Sequence, residues 1–236
     1  MSTDNSRDTA CRVLSVERPK KDSRLLTLIL IIDMKEEKLN AWSHAVGCLF
    51  AVVAGWLLLA QCDGCDWSYK VGVVVFAVGA LMQYLASTLY HFATHAERKA
   101  RLRIFDHVSI YVLIAASYTP VWLSILGGVG GWIGFGVMWA VAVGGLFYKL
   151  FAIGKFPRLS LIIYLAMGWS VVFVAKPVWN ATPEVGLWWL LAEGLAYSGG
   201  AWFYANHKKY RYFHFVWHLF VLLGTVAHFM FLWNTL

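Results

Sequence analysis

The chain has 236 residues, 60% of them hydrophobic and only 14% charged, with a formal net charge of +7. A soluble domain is nearer half apolar and a quarter charged, so one core of this size could not hide the excess. The apolar residues fall in long blocks and the basic ones between them, which excludes a nucleic-acid reading of the charge and points to a bilayer as solvent.

Residues 1–35 are mixed in charge and contain one short apolar run, Leu25 to Ile32, too short to span. They read as a loosely ordered cytoplasmic tail. Met34 is followed directly by Lys35-Glu36-Glu37-Lys38, which suggests that residues 1–33 are dispensable or come from a misassigned start. No apolar stretch typical of a cleaved signal opens the chain.

Seven apolar blocks follow, at about 39–60, 71–92, 104–126, 131–151, 159–178, 186–205 and 214–234. They predict an all-α membrane protein, a seven-transmembrane helix bundle over 36–236. Its connections are short, the plainest being the glycine-rich turn Gly127-Gly128-Val129-Gly130-Gly131. Lys and Arg number 18 on one side of that topology and 2 on the other, Lys70 and Lys176. The bias puts the N-terminus in the cytoplasm and the C-terminus outside. Trp132, Trp179, Trp188, Trp189 and Trp233 cluster toward span ends, as interfacial belts do. Cys62-Asp63-Gly64-Cys65 lies in the outer connection between the first two blocks; two free thiols are the default and a local disulfide the alternative.

The topology gathers polar residues near the cytoplasmic face. Ser87 and His91 end the second span, Asp106 and His107 open the third, and His214 and His218 open the seventh. Glu37, Asn40 and His44 enter with the first, spaced as one helical stripe. Each piece alone has a plainer reading: an interfacial His pair, a packing histidine at His91, a helix cap at Asp106. Together they match an open zinc site, with His91, His214 and His218 as ligands and a water in the fourth position. Asp106 would be the general base and Ser87 would touch the water or an oxyanion. Glu37, Asn40 and His44 would support the ligands. Three histidines also suit iron or manganese. His228, far along the seventh span, stands outside this layer, so the polar groups stop in the cytoplasmic half.

The same residues carry a family likeness. The motifs are Glu37-x-x-Asn40-x-x-Ser43-His44-x-x-Gly47, Ser87-x-x-Tyr90-His91, and Phe105-Asp106-His107 leading to Ser117-Tyr118-Thr119-Pro120. Further on come Tyr164-x-x-Met167-Gly168-Trp169, Tyr197-x-x-Gly200 with Phe203-Tyr204, and His214-x-x-x-His218 followed by His228-Phe229. From about Glu37 to Phe231 the chain resembles the hemolysin III proteins, the bacterial branch of the progestin and adipoQ receptor family, which includes the adiponectin receptors. The resemblance implies seven helices and zinc near the cytoplasmic side, held by His91, His214 and His218, with Asp106 and Ser87 at the family's aspartate and serine positions. The wider superfamily, which includes alkaline ceramidases, implies hydrolysis of a lipid amide.

Three functions are therefore expected in order. The first is a zinc-dependent hydrolase of a lipid amide or ester that enters from the bilayer. The second is a zinc-stabilised, non-enzymatic regulator or sensor of membrane state. The third is a pore-forming cytolysin, ranked last because no polar path crosses the spans. The expected location is the plasma (inner) membrane, with the bilayer and a lipid as partners and no nucleic acid.

Overall fold

The computed structural model describes residues 23–152 and 155–235, and every described element is helical. In hydrocarbon each backbone N–H and C=O must be satisfied within its own segment, and a helix does this. The order is α1 (Ser23–Gln61), α2 (Trp67–Phe92), α3 (Ala96–Pro120), α4 (Gly128–Ala152), α5 (Pro157–Gly168), α6 (Ala175–Ala181), α7 (Glu184–Asn206) and α8 (Phe213–Trp233). A π-helical turn, Val121–Leu126, prolongs α3, and a 3₁₀ segment, Trp169–Val174, joins α5 to α6.

Among the described residues, six runs are long and apolar enough to cross a bilayer: Ile32–Gln61, Trp67–Phe92, Ala96–Leu126, Gly128–Ala152, Arg158–Ala181 and Phe213–Trp233. The chain is thus a multi-pass helical membrane protein. The block at 186–205 also forms a helix, the 23-residue α7. Glu184, Glu193, Tyr197, Tyr204 and three tryptophans dilute its hydropathy, which keeps it out of the six.

Helix ends depart from the sequence expectation where charged residues favour helix. The run Leu25 to Ile32 lies inside α1, which starts at Ser23; the expectation for residues 1–22 falls outside the described residues. α3 begins at Ala96, through Glu97 and Arg101, an i,i+4 pair at 3.9 Å. Asp106 therefore sits well within the helix and does not cap it. Lys149 is buried in the last turn of α4, where its Nζ donates to Ser160 Oγ at 2.6 Å. Pro120 ends α3 because its ring removes a donor and crowds the preceding turn, and the π turn takes up the misfit. Cys62 and Cys65 are joined in a disulfide, in place of the two free thiols taken as the default.

α3 is the most buried of the six runs and packs on α2 and α4, while α7 packs on α8. The inner faces form a core through Val73, Phe76, Tyr84, Tyr111 and Phe231. The outer faces stay apolar: Trp56, Leu49, Val137, Ile162 and Phe173 are all exposed. An apolar surface of that kind suits lipid tails. Trp132, Trp179 and Trp188 are exposed near helix ends, whereas Trp189 packs against the core.

α1 and α2 approach closely at Gly47. A Cβ there would meet the ring of Tyr84 at 2.5–2.7 Å. Tyr84 is fully buried and its hydroxyl donates to Thr225 Oγ1 of α8 at 2.6 Å. The bare backbone at Gly47 thus lets one tyrosine tie α2 to α8 beneath α1, and holds three site-bearing helices in register.

Candidate metal centre

His91 sits in the last turn of α2, which ends at Phe92; His214 and His218 sit in the first two turns of α8. The chain enters α8 through Tyr212, whose left-handed backbone (φ 59°) turns it sharply upward into the helix. The four-residue spacing then stacks His214 and His218 on one face. One ligand-capable atom from each of His91, His214 and His218 lies within 4.8 Å of the others. Ring centroids are 5.2 Å apart for His91–His214, 4.9 Å for His91–His218 and 4.8 Å for His214–His218.

α1 organises two of these imidazoles. His91 Nδ1 donates to Glu37 Oε2 at 3.0 Å, and the same oxygen accepts from Lys99 Nζ at 2.7 Å. His218 Nδ1 donates to the backbone carbonyl of Asn40 at 3.0 Å and lies 3.2 Å from Ser43 Oγ. A proton held on Nδ1 leaves the Nε2 lone pair free to bind a metal. His91 Nε2 and His214 Nδ1 are buried without a hydrogen-bond partner among the described residues. Orphaned imidazole nitrogens are costly unless something fills the space between them. The donor set, three imidazole nitrogens, fits zinc.

The remaining expected residues fall around this group in different ways. His44 stacks flat on His218, with centroids 3.7 Å apart and planes 9° from parallel, and neither ring nitrogen of His44 has a described partner. Ser87 is fully buried, one turn before His91, with its Oγ unpartnered. Asp106 is buried and within Coulombic reach of His44, His91 and His214. Its Oδ2 lies 3.4 Å from His107 Nδ1, which itself donates to the Arg103 carbonyl at 2.9 Å. Asn40 contributes its backbone; its side-chain Oδ1 is buried and unpartnered.

Residues 32–229 match the family model described as "Haemolysin-III related". The chain belongs to that family. It is 39% identical over 198 residues to the "Hemolysin-3 homolog" of Bacillus subtilis, covering 83% of this chain and 92% of that one. It is 36% identical over 197 residues to "Hemolysin-3" of Bacillus cereus, covering 83% and 90%. A human relative, "Monocyte to macrophage differentiation factor", is 30% identical over 210 residues, covering 85% and 84%.

Sequence reasoning missed three contributors. Lys99 counted only as an orientation signal, yet it anchors Glu37. Ser43 was one letter in a motif, yet it reaches His218; its three-residue offset from Asn40 was the available hint. Glu193 went unremarked, and it pairs with His228 Nδ1 at 2.8 Å. The expectation that polar groups stop in the cytoplasmic half is corrected accordingly: a buried acid–imidazole pair lies deeper, where α7 supplies the partner that His228 lacked in the sequence reading.

Proposed function

We propose that this haemolysin-III-related protein is a seven-span, zinc-dependent hydrolase of a lipid amide or ester, with the N-terminus in the cytoplasm and the site in the inner leaflet of the plasma membrane. The observation that carries the reading is the convergence of His91, His214 and His218, two of them already held at Nδ1 by α1. Orientation rests on the 18-to-2 bias of Lys and Arg between the two sides. The Cys62–Cys65 disulfide supports it, since bridges persist on the oxidising side.

His91, His214 and His218 would hold the zinc, which would supply Lewis-acid polarisation of a lipid carbonyl and a water acidified towards neutrality. Glu37 and the Asn40 carbonyl fix the Nδ1–H tautomer of His91 and His218, so both rings present Nε2. The Asp106 carboxylate takes the proton released by the attacking water and returns it to the departing amine or alkoxide. Ser87 Oγ, otherwise unpartnered, donates to the carbonyl oxygen as negative charge gathers there. Elemental analysis tests the centre first. Detergent-purified wild type should carry about one zinc per chain, and His214→Ala/His218→Ala should carry none. Wild-type protein free of zinc after chelator-free purification would remove the hydrolase reading.

One observation favours a second reading, a zinc-stabilised regulator or sensor without turnover. Asp106 Oδ2 leans on His107, whose own Nδ1 is tied to the backbone of α3, so the acid is engaged apart from the three histidines. A screen of lipid amides and esters with zinc-loaded protein separates the two: turnover abolished by Asp106→Ala supports the enzyme, and zinc without turnover supports the regulator.

A further inference from the structure

The Glu193–His228 pair has no part in that chemistry. Glu193 and His228 are 7% and 1% exposed. His228 is ten residues beyond His218 in α8, about 15 Å along the helix axis. The rings of Phe76 and Phe231 flank the imidazole, with centroids 4.8 Å and 5.7 Å away. Among the described residues, Glu193 has no ion-pair partner besides His228. Ionisable groups at such depth are expensive to keep, so a pair like this marks a binding or transfer site more often than a packing solution.

The pair borders open space. A narrow cavity of about 80 Å³ lies among α2, α3, α5, α7 and α8, and Glu193 is in its wall. Most of the wall is hydrocarbon or aromatic, including Leu113, Ile114, Leu165, Leu190, Val221 and Trp217. Its polar groups are mostly satisfied within the protein. Tyr197 and Thr225 share a hydrogen bond at 3.1 Å, and Trp169 Nε1 donates to Ser198 Oγ at 2.9 Å. Gln83 Oε1 accepts from Ser109, and the Tyr118 hydroxyl donates to the Gly168 carbonyl. Glu193 differs. Its Oε2 is held by His228, while its Oε1 accepts from no described residue and is not sealed in the interior.

We propose that this cavity binds a single-chain amphiphile whose polar end is a protonated amine, with the ammonium donating to Glu193 Oε1 and the hydrocarbon chain lying against the aliphatic wall. The space is narrow, as a single hydrocarbon chain requires, and a largely apolar lining with a few polar groups is the usual pattern of a ligand site. Charge chooses the head group. The carboxylate oxygen that His228 leaves free gains more from a cationic donor than from a neutral hydroxyl, and repels a second carboxylate. His228 acts as a positioning residue: it orients the carboxylate and leaves one oxygen for the ligand. The site stands apart from the three-histidine group, none of which lines the cavity, and does not depend on the metal reading.

The test uses the full chain in lipid nanodiscs and tritiated dodecylamine, with empty nanodiscs subtracted. Saturable binding should be displaced by unlabelled dodecylamine, at least about tenfold less well by dodecanol, and not by dodecanoate. Glu193→Gln should weaken amine binding by about tenfold or more while leaving dodecanol little changed. Absence of saturable amine binding, displacement by dodecanoate as effective as by the amine, or an amine preference that survives in Glu193→Gln would each overturn the proposal. The comparison of head groups on the wild type decides the matter even if the variant does not fold.

Discussion

A neutral imidazole has one lone pair to offer a metal, and the hydrogen bond at its other nitrogen decides which one. In this centre α1 makes that choice twice, by unlike means. Glu37 uses a carboxylate on His91, and is itself charge-balanced by Lys99. Asn40 uses a main-chain carbonyl on His218. Glu37→Gln should therefore weaken zinc binding about 10–100-fold in a chelator competition, whereas Asn40→Ala, which keeps the carbonyl, should weaken it far less. Equal losses in the two variants would sink the distinction. Asp106→Asn should keep its zinc and lose all turnover, measured as product released from a lipid amide by zinc-loaded protein. The histidines were legible in the sequence because spacing and topology constrain them. The contact of Asn40 was not, since a carbonyl belongs to every residue and no side-chain type announces it. Glu193 escaped because an acid among tryptophans and glycines in a weakly apolar block has no sequence partner in view; its partner is 35 positions away on the neighbouring helix.

Elements follow a similar logic. Hydropathy marks where hydrocarbon begins, not where a helix begins, so the block at 104–126 was located while eight residues of polar helix before it were not. Propensity and an i,i+4 pair extend α3 into the aqueous side, and this moves Asp106 from a cap to an interior position. Turn chemistry read well at Gly127 and Gly128, both with positive φ. The consequence of Pro120 was not legible in the sequence, because a π turn of six residues depends on what packs against it. At the crossing of α1 and α2, Gly47 is the position whose change should propagate. Gly47→Val must push the Tyr84 ring, and with it the bond to Thr225. Overpacking of this kind costs about 1–3 kcal/mol, to be read as a lowered thermal midpoint in detergent. Tyr84→Phe, which removes only the hydroxyl, should cost about 0.5–1.5 kcal/mol. A Gly47→Val midpoint equal to wild type would mean that α1 does not pack on Tyr84 as described.

At the scale of the molecule, the open quantity is how many times the chain crosses. Six helices meet the length and hydropathy required, and α7 has the length without the hydropathy. Its deficit has a physical source: Glu193 is hydrogen-bonded to His228 inside the bundle, and Tyr197 and Trp189 are partly buried against the core. A helix that satisfies its polar groups against neighbours can cross despite a low mean hydropathy. The basic residues argue the same way, because Lys208, Lys209 and Arg211 share a side with the other basic connections only if α7 crosses. Impermeant maleimide labelling settles the point in a background with Cys11 and Cys48 replaced by serine and the Cys62–Cys65 bridge retained. Pro183 and Lys208 are both exposed and flank α7. Pro183→Cys should label in intact cells, and Lys208→Cys only after lysis. If the two behave alike, α7 does not cross, and the start of α8 would then face away from the end of α2, against the grouping of His91 with His214 and His218.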